Sequence, residues 1–346
     1  QIKNLELIFT TMSGNQESMY NLIKTPTQES TNNLSDNNDN NDDDDDEQIV
    51  DIQQRVQVSN IVYDTDDDIK SIYGNNGLKR VFKIENNKKG NYKVEYKDKK
   101  KEILDYSNIG NYSPKIKLLL KNIKKSDGIV LVYSRYLASG IIPIAIALEH
   151  LGFHKFGGKN ILNGGTRESK KGNYIVISGN TYLSPNNTDE ITECTNKNNK
   201  DGDKIKVILI TESGTEGLDL KNVREIHIFD PWYNLNRLEQ VIGRGVRNFS
   251  HINLPSIKRN TTIFQYVNLT GNNIKLLTSH GKLIENFNIN DKTNSRICDY
   301  GKCDLECDTK IDIDKLDDAT YKEEIIKYDI NLVKRHIIKY FKENIN

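Results

Sequence analysis

Short apolar runs alternate with amphipathic stretches from residue 113 to residue 270. Each run is rich in β-branched residues, a pattern typical of strands that are buried on both faces of a sheet. The stretches between the runs place apolar residues at helical spacing, and Ser, Pro and Gly mark their ends. Strands that alternate with helices predict an α/β fold, in which a parallel sheet is covered by helices on both faces. The predicted strands are Gly128–Tyr133, Tyr174–Ser178, Lys206–Thr211, Glu225–Asp230 and Thr261–Leu269, and the predicted helices are one that opens at Ser113, Ser139–Leu151 and Leu235–Arg247.

The rest of the chain follows other patterns. Residues 5–9 predict a strand and residues 15–23 a short helix. An Asn-rich segment that ends in an acidic run buries too little apolar surface to offset the entropy of ordering, so we expect a disordered insertion there. A Lys-rich segment follows and predicts irregular structure with a hairpin near residues 79–96. We therefore divide the chain into five parts. Residues 1–24 and 113–270 form the start and the main part of the α/β domain, and they are separated by the disordered insertion, 25–48, and the irregular insertion, 49–112. Residues 271–346 form a C-terminal extension with a cysteine cluster and a final helix at Tyr321–Phe341.

Composition narrows the class of protein without giving a function. Lys plus Arg (49) equals Asp plus Glu (49), so a strongly basic nucleic-acid binder is not expected, although a local basic patch remains compatible with this balance. No apolar run reaches about 18 residues and no secretory signal is visible, so we expect no membrane partner. Four cysteines are too few for a disulfide scaffold. We expect an intracellular chain, and its start at Gln1 without a Met suggests a piece of a larger protein.

Three polar residues share one face of the predicted helix Leu235–Arg247. Gln240, Arg244 and Arg247 lie four and three positions apart, which places their side chains on the same side of a helix. Two guanidinium groups on one face suit a polyanion, because each stays charged and can bind two phosphate oxygens at once. Gly243 beside them would let a phosphate or another backbone approach closely. The spacing therefore predicts a phosphate-binding face.

Polar residues also follow three of the predicted strands. Ser134 and Arg135 follow the first strand, residues 212–219 follow the third, and Pro231 and Trp232 follow the fourth. In open parallel sheets, ligands bind outside the carboxyl ends of the strands. We therefore expect these residues to line a site at that edge of the sheet.

The motifs resemble those of a known family. TESGTEGLDL (residues 211–220) resembles motif V and QVIGRGVR (residues 240–247) resembles motif VI of superfamily 2 helicases. YSPKIKLLL and GIVLVYSRY resemble the SPK helix and motif IV of the Swi/Snf-like branch. EIHIFDPWYNLNRLEQVIGRGVR is more similar still to the helicase-like small subunit of the poxvirus early transcription factor and its giant-virus relatives. The resemblance covers residues 5–269 apart from the inserted loop, and it implies a RecA-like second helicase lobe.

The resemblance implies roles in ATP use for motifs V and VI. Arg247 would be the arginine finger that reaches ATP on a first lobe, Arg244 would contact the γ-phosphate, and Gln240 would help to sense the nucleotide. Gly217 and Asp219 would couple the state of the ATP to the nucleic-acid groove. An arginine finger neutralises charge on the transferring phosphoryl group and contributes about 10³–10⁵ in rate.

The same resemblance implies a nucleic-acid interface formed by Ser134, Arg135, Ser213 and Thr215. Double-stranded DNA, tracked through its phosphates without sequence preference, is the expected substrate. The expected protein partners are an N-terminal RecA-like lobe and, for a protein of early viral transcription, a transcription-factor subunit or RNA polymerase. Such a protein would act in the virion or the host cytoplasm.

Half of an ATP site has no counterpart in the sequence. A lobe that grips phosphates needs a Gly-rich loop ending in Gly-Lys-Ser or Gly-Lys-Thr. The Gly-Lys pairs that begin at residues 158, 281 and 301 are followed by Asn, Leu and Cys. We therefore expect ATP and Mg²⁺ to be held mainly by the first lobe, and we expect the isolated chain to be inactive. The alternative is a non-catalytic accessory protein that keeps the fold and binds nucleic acid or a partner; the two motif VI arginines argue against it.

A cluster of cysteines near the C-terminus invites comparison with zinc sites. Cys298, Cys303 and Cys307 would need His280 or Cys194 to complete four ligands. Acidic residues interleave the three cysteines, unlike the usual zinc knuckle. Free thiols are therefore the favoured interpretation, and zinc is not expected.

Three aromatic residues of the motif region have structural interpretations. His227 lies within an apolar strand, so we expect a buried structural residue rather than a catalyst. For Trp232 and Tyr233, a packing corner is favoured over a platform for base stacking.

Overall fold

The computed structural model describes most of the chain as far as residue 287. The described residues are 2–23, 53–64, 71–86, 92–164, 171–214, 218–230, 235–247, 249–269, 274–277 and 283–287. Our expectations for residues 25–48, for His280 with the three C-terminal cysteines, and for the final helix lie outside these residues. Within the described ranges, no helix is long and apolar enough to cross a lipid bilayer.

Strands and helices alternate along the described chain. The strands are β1 (Ile2–Thr11), β2 (Phe82–Glu85), β3 (Lys93–Tyr96), β4 (Ile129–Tyr133), β5 (Phe153–Lys155), β6 (Gly172–Ile177), β7 (Val207–Ile210), β8 (Val223–Ile228), β9 (Thr261–Leu269), β10 (Ile274–Leu277) and β11 (Leu283–Phe287). The helices are α1 (Gly14–Leu22), α2 (residues 53–60), α3 (Gly74–Val81), α4 (Pro114–Lys125), α5 (Ile142–His150), α6 (Asn187–Thr195) and α7 (Leu235–Gly245).

Seven of the described strands form one parallel sheet. Their order is β1-β9-β8-β4-β7-β6-β5, and every neighbouring pair is parallel. All residues of β4 and β7 are buried, as expected for strands that are covered on both faces. The predicted α/β fold of the RecA-like class is confirmed, and so are all five strands predicted between residues 128 and 269. The N-terminal strand is also confirmed, since β1 pairs with β9 at one end of the sheet.

Side chains of the central strands alternate between two cores. Val130 and Val132 of β4 belong to the core on one face, whereas Ile129, Leu131 and Tyr133 belong to the core on the other. This is the period of two that a β-strand imposes. Helices α4 and α5 contribute to the first core, and α7 contributes to the second. The sheet is therefore packed between two hydrophobic cores, which position the residues at the ends of its strands.

Residues 53–60 and 74–81 are helical, so our expectation of irregular structure across residues 49–112 is wrong there. Helix α3 has the sequence GNNGLKRV, and Gly and Asn disfavour helices. Tertiary packing overrides this propensity: a Cβ on Gly77 would lie 2.6 Å from the carbonyl oxygen of Ile72. The hairpin predicted near residues 79–96 is confirmed, as β2 pairs antiparallel with β3. A small third core joins α1 to this region through Met12, Tyr20, Ile23, Val58, Val62 and Ile72.

Two further segments differ in detail from the sequence prediction. The helix predicted from Ser139 begins as a π-helical turn at Leu137–Ile141, before α5. Helix α6 and strand β5 were not predicted, because β5 has only three residues and the α6 sequence, NTDEITECT, has few apolar positions. By contrast, the helix predicted to open at Ser113 is confirmed: the Ser113 hydroxyl accepts a hydrogen bond from the Ile116 amide at 3.1 Å, and Pro114 occupies the first turn.

Candidate functional site

Polar residues that follow β4, β7 and β8 meet at the carboxyl edge of the sheet. The backbone N–H of Arg135 donates to Asp230 Oδ2 at 2.8 Å, and Arg135 Nε lies 3.5 Å from Glu212 Oε2. Ser213 Oγ accepts a hydrogen bond from the Gly179 amide at 3.0 Å. We call Arg135, Glu212, Ser213 and Asp230 the carboxyl-edge cluster. Sequence reasoning anticipated that the ends of these strands would converge, but it did not single out Asp230.

Ser134 is placed differently from our expectation of a nucleic-acid contact. Its side chain is fully buried, and its hydroxyl exchanges hydrogen bonds of 3.2 Å with the backbone N–H and C=O of Tyr136. A Cβ on Gly140 would lie 1.9 Å from Ser134 Oγ, so Gly140 closes over this hydroxyl. Ser134 therefore shapes the turn that presents Arg135. Of the described residues that we expected to contact nucleic acid, Arg135 and the exposed Ser213 reach the surface at this edge.

Several residues that we expected at the carboxyl edge lie outside the described residues. Thr215 and Gly217 belong to this group, and so do Pro231, Trp232 and Tyr233. Their assignments remain predictions.

Helix α7 packs one apolar face on the sheet and runs from the carboxyl edge toward the amino ends of the strands. Leu238, Val241 and Ile242 are buried in the core beneath it. Gly245 ends the helix against β8: a Cβ there would lie 2.8 Å from Ile226 and 3.5 Å from Val223, the first residue of β8. An 11-residue helix is about 16 Å long. The end of α7 is therefore far from the carboxyl-edge cluster.

Arg247 lies two residues beyond the end of α7, so the prediction that helix continues to Arg247 is wrong. Its Nη1 atom lies 3.6 Å from Asp219 Oδ1, and its Nε donates to the Gly243 carbonyl at 3.2 Å. The side chains of Arg247 and Asp219 are 40% and 47% exposed. Asp219 also pairs with Lys221 Nζ at 2.6 Å, a partner that sequence reasoning missed. The guanidinium group of Arg247 thus lies at the surface in a loose ion pair.

Arg244 connects α7 to the last residues of motif V. Its Nη1 donates to the Leu218 carbonyl at 3.3 Å, and its own carbonyl accepts from the Leu220 amide at 3.2 Å. Its Nε is buried and has no hydrogen-bond partner among the described residues. A buried guanidinium nitrogen without an acceptor is costly, so this donor is suited to an acceptor that the described residues do not supply. We call Asp219, Arg244 and Arg247 the α7-end cluster.

Gln240 and Gly243 lie on the solvent side of α7. Gln240 is exposed, and a Cβ on Gly243 would meet no atom within 4 Å. The space that we predicted beside Gly243 is therefore present, although the close approach itself remains a prediction.

His227 is a buried structural residue, as expected. Its Nδ1 lies 2.9 Å from the Tyr266 hydroxyl, its Nε2 lies 3.0 Å from Glu225 Oε2, and its ring stacks on Phe264. Cys194, one residue considered for a zinc site, is buried in the second core, and burial raises the pKa of its thiol to about 12.

The chain is similar to helicases in the region that holds both clusters. The family model described as Helicase conserved C-terminal domain matches residues 114–249. Two proteins of Acanthamoeba polyphaga mimivirus that carry the name of ATP-dependent RNA helicases are 31% identical over 179 residues and 34% identical over 167 residues. These matches cover 52% and 48% of this chain, and 34% and 28% of the two relatives.

Further relatives come from African swine fever virus. A protein of the Warthog/Namibia isolate named Termination factor NPH-I homolog is 33% identical over 186 residues, which cover 45% of this chain and 26% of that protein. This chain thus spans about a third or less of the curated relatives that it matches. Among solved structures, the Sulfolobus solfataricus SWI2/SNF2 ATPase core in complex with dsDNA is similar over 79% of this chain and 42% of that chain, with 10% identity and a TM-score of 0.39. Residues 114–249 thus match the family described as Helicase conserved C-terminal domain, and similar sequences occur in proteins of Acanthamoeba polyphaga mimivirus and African swine fever virus.

Proposed function

We propose that this chain supplies the second motor lobe of an ATP-driven helicase or translocase, and that Arg244 and Arg247 complete an ATP site whose phosphate-gripping half lies on another lobe. The observation that carries this proposal is the incomplete pairing of the two arginines. Arg247 is 40% exposed in a 3.6 Å pair, and Arg244 holds a buried Nε without an acceptor among the described residues.

The chemistry of the arginine pair fits a triphosphate. Phosphoryl transfer is catalysed mainly by positioning and by neutralising charge on the phosphoryl oxygens. Arg247 would act as the finger, and Arg244 would hold the γ-phosphate through its free donor. Exposed Gln240 would sense the nucleotide, and the open space at Gly243 would admit it. ATP, with Mg²⁺ bound mainly by the other lobe, supplies the energy for movement.

The carboxyl edge is the proposed nucleic-acid surface. Arg135 and Ser213 would contact backbone phosphates there, with Thr215 as a further contact. One segment then links the two ends of the lobe, because the chain that leaves Ser213 continues through Gly217 and Asp219 to Leu220, whose amide binds the Arg244 carbonyl. Movement of this segment would couple the state of the ATP to the grip on nucleic acid.

Viral transcription is the process that we propose. The African swine fever virus relatives are named as termination factor homologues, which supports a role beside RNA polymerase or a transcription-factor subunit, in the virion or the host cytoplasm. We propose double-stranded DNA as the substrate. Since the mimivirus relatives carry the name of RNA helicases, the test includes RNA.

The decisive experiment is an ATPase assay of the full-length protein with double-stranded DNA, with RNA, and without nucleic acid. Arg247→Ala is expected to lower nucleic-acid-stimulated turnover by about 10³-fold while nucleotide binding persists, because the finger acts mainly on the transition state. Arg80→Ala is the matched control: Arg80 is also a surface arginine in an ion pair with an aspartate, at 3.1 Å from Asp64, but it lies outside both clusters. The 346-residue chain alone is expected to show no turnover above background.

Equal turnover of Arg247→Ala and Arg80→Ala would rule out the finger role. A full-length protein without stimulated ATPase activity, but with nucleic-acid binding, would instead identify a non-catalytic accessory protein. Stronger stimulation by RNA than by DNA would retain the motor and change its substrate.

A further inference from the structure

Exposed apolar side chains are concentrated directly after Arg247. The described residues include five large apolar side chains that are exposed, and three of them fall between residues 249 and 257. Phe249 is 81% exposed, Ile252 57% and Ile257 83%. We call these three residues the apolar loop. Exposed apolar residues gathered in one place are typical of contact surfaces, whereas single ones need no explanation.

Phe249 has a strained backbone conformation that no packing of its ring against the described residues offsets. The Ser250 amide donates to the Arg247 carbonyl at 3.0 Å, so Phe249 occupies the third position of a tight turn. Its φ is +63°, in the left-handed region where turns normally place Gly or Asn. An aromatic residue is strained there and gains almost no burial. The chain therefore presents an aromatic ring to its surroundings at a conformational cost.

The turn is firmly attached to the sheet. The buried Ser250 accepts a hydrogen bond from the Arg247 amide at 3.3 Å and lies 2.8 Å from His251 Nδ1. His251 Nε2 donates to the Val223 carbonyl at 2.7 Å, and the Asn222 amide donates to the Ser250 carbonyl at 2.9 Å. The backbone of Phe249 is thus fixed relative to that of Arg247.

We propose that the apolar loop is the docking surface for the lobe that holds the ATP phosphates, with Phe249 as its anchor. This inference rests on the proposed function of Arg247. Two residues span at most about 7 Å of chain, so a body whose bound phosphate meets Arg247 also comes within reach of Phe249. Basic Lys258 and Arg259 follow Ile257 directly in the chain, and charged residues beside apolar ones are common at the edge of an interface. The partner surface is expected to be an apolar pocket beside the bound polyphosphate.

The test compares substitutions at Phe249 in the full-length protein. Phe249→Asn keeps the turn, because Asn accepts positive φ, but it removes the ring. It is expected to lower kcat/KM for ATP by about tenfold, as expected for loss of a buried aromatic contact, and to leave the melting temperature of the 346-residue chain unchanged or higher. Phe249→Leu keeps an apolar anchor and is expected to retain most of the activity. Leu22→Asn, at an exposed apolar position at the end of α1, is the matched control and is expected to have no effect on turnover.

The outcomes separate this inference from the proposed function. If Arg247→Ala abolishes stimulated turnover while Phe249→Asn retains it, the docking surface is refuted and the finger role stands. A lower melting temperature of the 346-residue chain with Phe249→Asn would show that the ring packs within this chain, and would also overturn the inference. If Arg247→Ala itself retains turnover, the proposed function fails and the docking surface fails with it.

Discussion

The two polar clusters of this lobe differ in how far the chain satisfies their charges. At the carboxyl edge, Arg135 is held by Asp230 through its backbone and by Glu212 through its side chain. At the end of α7, Arg247 has a surface pair with Asp219 at 3.6 Å and a hydrogen bond to the Gly243 carbonyl, and Arg244 has a buried Nε without a partner among the described residues. A strained, exposed Phe249 adds to the second cluster. We propose that the carboxyl edge is preformed, whereas the end of α7 is completed by an external partner.

Among the substitutions that test this comparison, the largest expected effect is the loss of stability on replacing Gly214, which supports the carboxyl-edge cluster. A Cβ there would lie 2.4 Å from the carbonyl oxygen of Ile177, a backbone atom that cannot move aside cheaply. Gly214→Ala is therefore expected to lower the free energy of unfolding by about 1–3 kcal/mol, as overpacking does, and to weaken nucleic-acid binding by displacing Ser213. Chemical denaturation of the 346-residue chain measures the first effect. Wild-type stability of this variant would mean that the edge is not preformed.

A smaller effect is expected from substitution of Arg135, the charge that we propose contacts nucleic acid at the carboxyl edge. Arg135→Ala should raise the Kd for DNA about tenfold at low salt and reduce the slope of log Kd against log salt by about one, because one phosphate contact is lost. Turnover at saturating DNA should stay near wild type, unlike that of Arg247→Ala. Filter binding over a salt series tests this, with Arg80→Ala as the control. An unchanged slope of log Kd against log salt would show that Arg135 does not contact a phosphate of the nucleic acid.

Substitution of Gly243 is expected to change stability and ATPase activity in opposite directions. Its Cβ position is open, so Gly243→Ala should stabilise the 346-residue chain by about 0.5–1 kcal/mol through helix propensity alone. The same methyl group would occupy the space reserved for a phosphate, so ATPase turnover of the full-length protein should fall. A variant that is both more stable and fully active would show that nothing approaches Gly243 during turnover.

The smallest expected effect is a pH dependence at the base of the apolar loop. Burial lowers the pKa of His251 below its ordinary value of 6.5, and the positive charge of nearby Arg224 adds to this, whereas the hydrogen bond to the Val223 carbonyl acts in the opposite direction. The unfolded chain therefore binds more protons below that pH, and this contribution to stability, complete above about pH 6.5, is lost as the pH falls. Glu149 acts in the opposite sense, because burial raises its pKa to about 7, so the wild-type profile alone is ambiguous. The melting temperature should fall less steeply between about pH 8 and about pH 5 in His251→Gln than in the wild type. Identical slopes would show that His251 does not contribute to the pH dependence of stability.

The contrast between the clusters was only partly predictable. The position of Arg135 after β4 and the apolar face of α7 follow from local patterns, because a buried strand needs an unbroken apolar run and a packed helix needs an apolar stripe. The burial of Ser134 was not predictable, since it depends on Gly140 folding back over its hydroxyl six residues later in the chain. The helix end before Arg247 depends on Gly245 meeting Ile226 of β8, which no local pattern records.

The amino-acid sequence by itself determined the parallel sheet, the order of the motifs along the chain and the missing phosphate-gripping loop, because these depend on residue type and spacing alone. Only the tertiary structure decided that Arg135 and Arg247 lie toward opposite ends of the lobe, and that Arg135 pairs with Glu212 whereas Arg247 pairs with Asp219. Those properties depend on the direction in which α7 crosses the sheet and on which carbonyls and carboxylates it meets there. Such contacts join residues that are distant in the chain, so they exist only once the sheet has formed.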